Sequence, residues 1–327
     1  MRTRFLIATL VALALAPFAR ADGLPIADAS APAVIGGENV TGRYVALPTE
    51  GGTVVARIGE SVYASRLLDG RYTVPVIALD HSASGLSTDG STLLLINPRR
   101  TFPRAQTSFV VLNARNLRTR AHIVLRGDFS FDALSPDGTR TYLIHYLSRR
   151  DPTRYEVRAL DVPSGKLLPT AIVDKGEPDE RMAGYPVTRA TTADGRWAYT
   201  LYDGAGEEPF VHALDTVNGE AHCIDLAMLT GRQNLYDLRL ELAEGDAGLA
   251  VFDGARKVVA IDTSTFEPIG GKTAASVSHE ASSRNWAAIV LLSALALLAV
   301  AAATYGLRRV LRDRSVRGAR PAPERRS

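Results

Sequence analysis

One cysteine, Cys223, in 327 residues leaves no partner for an intrachain disulfide, so stability must come from an ordinary apolar core. The marks of a catalytic centre are also missing. There is no Gly-x-Ser-x-Gly elbow and no P-loop. The six histidines, His81, His122, His145, His212, His222 and His279, make no His-x-x-x-His pair, and a lone cysteine makes no Cys-x-x-Cys. A zinc site is therefore unsupported, and no catalytic residue, metal ligand or cofactor is assigned. Helical periodicity is nearly absent between residues 40 and 270. Net positive charge is missing from the middle of the chain, residues 22–307. Arg2, Arg4 and Arg20, together with eight arginines against Asp313 and Glu324 in residues 308–327, exceed the chain's total of +3 and leave the middle at −6. Such a middle has no basic surface for nucleic acid. A composition 46% hydrophobic and 22% charged excludes intrinsic disorder and fibrous repeats.

What is present at the two ends concerns location. Residues 1–21 run from a basic Met1-Arg2-Thr3-Arg4 through the apolar Phe5 to Ala16 and end in Ala19-Arg20-Ala21. They read as a secretory signal peptide cleaved after Ala21, the alternative being an uncleaved N-terminal anchor. Residues 287–307 carry no charge and as a helix would span about 30 Å, one bilayer crossing. Trp286 and Tyr305 lie near the two ends of that run. Arg308, Arg309, Arg312 and Arg314 follow it, so the positive-inside rule puts the basic tail, 308–327, in the cytoplasm and the acidic middle outside. Residues 271–286, poor in apolar side chains, read as a stalk.

Between the ends, two short patterns recur in fixed order. The first is a strand and an acid-glycine turn: Glu50-Gly51, Asp89-Gly90, Asp137-Gly138, Asp194-Gly195 and, more loosely, Glu244-Gly245, with glycines 39, 48, 57 and 50 residues apart. Acid-glycine pairs supply the positive φ of a tight hairpin. The second closes a strand with an apolar residue and an acid or amide: Leu68-Asp69, Leu112-Asn113, Leu160-Asp161, Leu214-Asp215 and Ile261-Asp262. An Asp or Asn there can accept from the next backbone amides. Units of about four strands in 40–55 residues match propeller blades.

With Ser135-Pro136-Asp137-Gly138 and the Leu-Asp-x-x-x-Gly turns at Leu160–Gly165 and Leu214–Gly219, the chain resembles the bacterial β-propellers of the YVTN and WD40-like type. The resemblance covers roughly residues 43–270. It implies an all-β fold, a β-propeller of about five four-stranded blades, followed here by one C-terminal transmembrane helix. The family's shared residues are turn and packing residues, so the resemblance speaks to architecture and not to activity. The first blade is short and the fifth has little room for an outer strand. Residues 22–42 are an N-terminal segment in which a strand at 32–40 would complete the ring, an open ring being the alternative.

Five residues before each turn acid stand Val45, Ser84, Asp132, Arg189 and Arg239, which places polar groups toward the ring axis. Two readings follow for Ser84, Asp132, Arg189 and Arg239. Either Asp132 pairs with Arg189 across neighbouring blades, or Arg189 and Arg239 form an anion-binding pair at an axial mouth. A second candidate is the long acidic connection holding Asp174, Glu177, Asp179 and Glu180, a possible recognition loop. It lacks the alternating ligands of a calcium loop. His145 and His212 fall near equivalent strands of adjacent blades and are expected to be satisfied strand histidines, and Cys223 to be buried and inert. The expected function is a membrane-anchored extracytoplasmic binding or interaction module for a ligand, a protein or another cell-envelope partner. The alternative is a metal-dependent, lactonase-like hydrolase with axial acids, for which Asp132 qualifies and Asp237 and Glu241 are weaker additions.

Overall fold

In three of the acid-glycine segments a hydroxyl and a carboxylate two residues apart do the same work. Ser87 donates to Asp89, Ser135 to Asp137 and Thr192 to Asp194 at 2.6, 2.7 and 2.6 Å. Each carboxylate also accepts the amide two residues on, from Ser91, Thr139 and Arg196. Each hydroxyl in turn accepts the amide five residues on, from Thr92, Arg140 and Trp197. These are four-residue loops, closed by Ser87 N to Thr92 O and its equivalents. The expected two-residue hairpin occurs at Thr49 and Gly52, where the position two before the acid is Pro48, which has no hydroxyl to close the larger loop.

The second pattern forms Asx turns. The side chains of Asn113, Asp161, Asp215 and Asp262 accept from amides two or three residues ahead. Four residues on, the chain turns left-handed and its amide returns to the same residue's carbonyl, at Leu117, Gly165, Gly219 and Phe266. Two of those positions lack glycine. Leu117 is buried in the core and Phe266 stacks on His222, with centroids 4.1 Å apart, so packing offsets the strain of a side chain at positive φ.

The computed structural model describes residues 34–35, 43–59, 62–178, 182–246 and 248–269. The expected signal peptide, stalk, membrane helix and basic tail lie outside them; among the described residues no helix is long and apolar enough to cross a membrane. The loops join antiparallel strands into five sheets, each with its strands in chain order. The first holds β1 (Val34–Ile35), β2 (Arg43–Thr49), β3 (Gly52–Ile58) and β4 (Val62–Leu68). The second holds β5 (Thr92–Ile96), β6 (Gln106–Asn113) and β7 (Thr119–Arg126). The third holds β8 (Phe129–Leu134), β9 (Arg140–Tyr146), β10 (Tyr155–Asp161) and β11 (Lys166–Ile172). The fourth holds β12 (Pro186–Thr191), β13 (Trp197–Tyr202), β14 (Phe210–Asp215) and β15 (Glu220–Asp225). The fifth holds β16 (Leu238–Leu242), β17 (Leu249–Asp253), β18 (Arg256–Asp262) and β19 (Glu267–Ile269).

Successive sheets pack through apolar faces. Tyr44 and Leu68 share a buried cluster with Leu93 and Val110, Phe109 with Phe131 and Leu143, Val157 with Ala198 and Leu214, and Val211 with Leu240 and Val251. Each fully buried side chain of this size contributes roughly 1.5–3 kcal/mol of transfer free energy, which makes these four seams the main stabilising element. Burial falls across a sheet, from the wholly buried β8 to β11, where no residue is fully buried. Consecutive antiparallel sheets packed face on face in this way make a β-propeller.

Two further features tie the sheets together. At one end the turns touch: Asp89 N donates to Pro136 O, Ala193 N to Asp246, and Gly195 lies against Thr88. Elsewhere the second sheet gives its inner position to two short bridges, Thr73 with Ile96 and Leu86 with Leu93. The residues between them make a hairpin excursion through the Val76–Ala83 bridge, and its tip reaches β12, where Leu79 N and Asp80 N donate to Pro186 O and Val187 O. The inner edge of β12 is thereby covered.

Three expectations need correction. In the first sheet the acid-glycine turn joins its second and third strands, because β1 pairs on β2 through Val34–Val45 and Ile35–Tyr44. Residues 34–35 of the expected ring-completing strand therefore add to the first sheet, a pairing that closes only a short loop. The fifth sheet takes its outer strand from its own sequence, β19, which three residues suffice to form.

Candidate functional site

The four residues expected near the axis have different surroundings. Asp132 sits at a bulge in β8, where the register shifts between Phe131 and Ala133, and the bulge aims its carboxylate at β12. There it pairs with Arg189, whose Nη1 also donates to the Asp132 carbonyl at 3.0 Å; the two side chains are 1% and 5% exposed. The hairpin tip lies on the same pair, with Asp80 Oδ2 accepting from Arg189 N at 3.4 Å. Ser84 belongs to that hairpin and its amide donates to Pro75 O. Arg239 is 58% exposed and engaged within its own sheet, donating to Gly254 O at 2.8 Å with Glu241 at 3.5 Å. Asp237 ends a short 3-10 turn beside β16, and Glu241 is exposed.

A larger space opens between the third and fourth sheets. After β11 the chain crosses to the fourth sheet and is pinned there. Asp174 bridges to Ala221, accepts from Cys223 N at 2.8 Å and Gly176 N at 2.7 Å, and Lys175 pairs with Glu220. It returns at Ala183, which bridges to Arg154, and Tyr185 N donates to Asp203. Beneath this crossing lies a cleft of about 660 Å³. Its walls include Tyr155, Glu156 and Val157 of β10, Ile172 of β11, and Leu147, Arg154, Asp174, Glu177 and Met182 of the connections. His212 of β14 and Cys223 of β15 line its fourth-sheet side. Of the expected recognition loop, Asp174 and Glu177 thus border one cleft, while Asp179 and Glu180 lie outside the described residues.

Of the two strand histidines, one meets the expectation and one does not. His145 is satisfied: Nδ1 lies 3.0 Å from Glu156 Oε1 and the ring stacks on Phe129 at 4.4 Å. Glu156 also accepts from Arg158 at 3.1 Å, and these bonds outweigh its desolvation to hold its carboxyl below the usual range. His212 is 1% exposed, yet neither ring nitrogen has a hydrogen-bond partner among the described residues. Burial, assisted by the charges of Arg189 and His222 against those of Asp132 and Asp174, lowers its pKa to about 4, so it is neutral at neutral pH. Sequence reasoning named the position and expected it to be satisfied, because strand alternation marks a position as inward without saying what the inside holds. His145 and His212 are not equivalent either, occupying the second and third strands of their sheets. Cys223 is only half-buried. Among the described residues no three His, Cys, Asp or Glu side chains are grouped to hold a metal ion.

No family model matches the chain, and no curated protein matches it. Many solved structures do. The propeller domain of Cps50 (Swd1) from Myceliophteria thermophila is 10% identical over 75% of this chain and 66% of that one, with a TM-score of 0.41. BamB from Moraxella catarrhalis is 19% identical over 72% and 65%, with a TM-score of 0.35. Hydrazine synthase from Kuenenia stuttgartiensis is 18% identical over 57% and 46%, with a TM-score of 0.34. The chain spans about half to two thirds of the length of these structures. At such identities they assign no activity to it, and the propeller architecture rests on its own sheets.

Proposed function

We propose that the chain is an extracytoplasmic β-propeller, tethered to a bacterial cell membrane through residues 287–307, that works as a binding module with its recognition site in the cleft between the third and fourth sheets. The observation that carries the reading is the cleft itself. A space of about 660 Å³, walled by apolar side chains and a few polar groups, has the size and make-up of a ligand site. Tethering is supported by the uncharged 21-residue run, the arginines after it and the signal-like residues 1–21. The paired state of Asp132 and Arg189 favours a structural role for them over an axial anion site.

Cys223, the chain's single cysteine, lines the cleft and provides a reporter. The full-length protein in lipid nanodiscs is melted against amines, sugars, carboxylates, phosphorylated compounds and cell-wall fragments, and Cys223 is labelled with a maleimide. A ligand of the cleft raises the melting temperature by mass action and slows the labelling. A cooperative melt unmoved by every compound, with labelling unchanged, refutes the reading.

A further inference from the structure

The chemistry of the cleft narrows what it takes, on the premise that it is a binding site. A neutral imidazole offers one donor and one acceptor. His212 lines the cleft with neither in use among the described residues, an arrangement that costs stability unless something arrives to satisfy it. The charged groups around it are Glu156, Asp174 and Glu177 against Arg154, an excess of carboxylate. Glu156 is occupied by His145 and Arg158, and Asp174 by two backbone amides. Glu177 is exposed at the rim. Its charge is felt by Asp225 on β15, whose carboxyl is pushed up by partial desolvation and then by Glu177. Two carboxylates repelling each other beside a cleft are relieved by a cation. Much of the rest of the wall is aliphatic, including Val157, Ile172 and Met182, beside Tyr155 and Ser148.

We infer that the cleft binds a primary alkylammonium ion, which donates an N–H to His212, sets its charge against the carboxylates headed by Glu177, and lays its methylenes along Val157, Ile172 and Met182. An anion is disfavoured by the same carboxylates, and a neutral diol can hydrogen-bond to them but gains no charge attraction. Both a free polyamine and a lysine side chain carry this group.

The test is calorimetric titration of the full-length protein in nanodiscs with cadaverine, pentanediol and glutarate, three probes of equal chain length and different charge, and with Nα-acetyl-lysine amide. Cadaverine is expected to bind at least about tenfold more tightly than pentanediol or glutarate, the worth of one charge-assisted hydrogen bond. Glu177→Gln and His212→Gln are each expected to weaken cadaverine about tenfold, while Glu50→Gln, in the first sheet, leaves it unchanged. Glu177 is exposed, so its variant tests the idea even where His212→Gln fails to fold. Acetyl-lysine amide binding as tightly as cadaverine assigns the group to a polypeptide side chain; cadaverine binding alone assigns it to a free amine. Pentanediol or glutarate binding as well as cadaverine and protecting Cys223, or cadaverine binding untouched by Glu177→Gln, overturns the ammonium assignment and leaves the binding module standing. No binding by any probe overturns the assignment, and only the broader compound panel then decides the binding module.

Discussion

Arg189 on β12 closes on Asp132 on β8, tying the inner strands of the third and fourth sheets together beneath the hairpin that arrives from the second. Both side chains are almost fully buried, and Asp132 Oδ2 and Arg189 Nε find no partner among the described residues. Such a pair contributes little net stability over an apolar replacement, but removing one member strands the other. Arg189→Met should therefore destabilise the protein by about 3–5 kcal/mol. Adding Asp132→Asn should restore part of that loss, giving a double-mutant cycle in denaturant with a large coupling energy. Additive single losses would show that the pair is not coupled.

The turns that meet at one end give a second expectation. A Cβ on Gly195, at φ +76°, would stand 2.0 Å from Thr88 Oγ1 of another sheet. On Gly165, at φ +67°, it would meet only Ile123 at an ordinary 3.6 Å. Gly165→Ala should cost the left-handed strain alone, roughly 1–2 kcal/mol, and Gly195→Ala measurably more. Thr88→Ala, which removes the nearest atom, should bring Gly195→Ala back toward the Gly165→Ala value in thermal melts. Equal losses at the two glycines without that change would mean the turns do not press together.

The repeated loops also predict an acid-sensitive slope. Hydrogen bonds from the Thr192 hydroxyl and then the Arg196 amide hold the Asp194 carboxyl below its usual range. At Asp89 and Asp137 desolvation opposes the shift, but the bonds from neighbouring hydroxyls and amides outweigh it. A carboxyl lowered by folding contributes stability that is complete above its unfolded pKa, about 4, and is lost as pH falls through the lower folded value. Asp194→Asn keeps an acceptor but cannot titrate. Its unfolding free energy between pH 5 and 2 should fall less steeply than that of the parent protein.

How much of this was legible in the sequence depends on the range of the interaction. Asp161 and Gly165 announce their turn because every atom of it lies within five residues, and the same geometry recurs at Asp215 and Gly219. Asn113 with Leu117 and Asp262 with Phe266 make the same turn without glycine, since contacts with distant residues hold the strained position, and only the structure reveals that. The Asp132–Arg189 pair was one of two alternatives, readable from aligned strand positions. The hairpin from the second sheet to β12 was not, because it replaces regular pairing with a crossing that no local pattern encodes. Nor was the cleft, whose volume comes from where Asp174 and Ala183 pin a connection to strands nearly fifty and thirty residues away.

His212 makes the last prediction, and its sign is unambiguous. Its pKa is about 4 in the folded protein against the ordinary 6.5, so between those values the unfolded chain takes up a proton that the folded one refuses. Stability at this site is therefore complete above about pH 6.5 and declines as pH falls, losing about 2 kcal/mol from pH 7 to 5 and about 3 by pH 4. Carboxylates lowered by folding add little to the slope above pH 5. His212→Gln, with no proton to take, should remove that decline. Urea unfolding at pH 7 and pH 5 measures it, as a difference of about 2 kcal/mol between the pH responses of the parent and the variant. Parallel responses would mean that the folded protein protonates His212 as readily as water does, and the imidazole would then not be the neutral acceptor that the cleft requires.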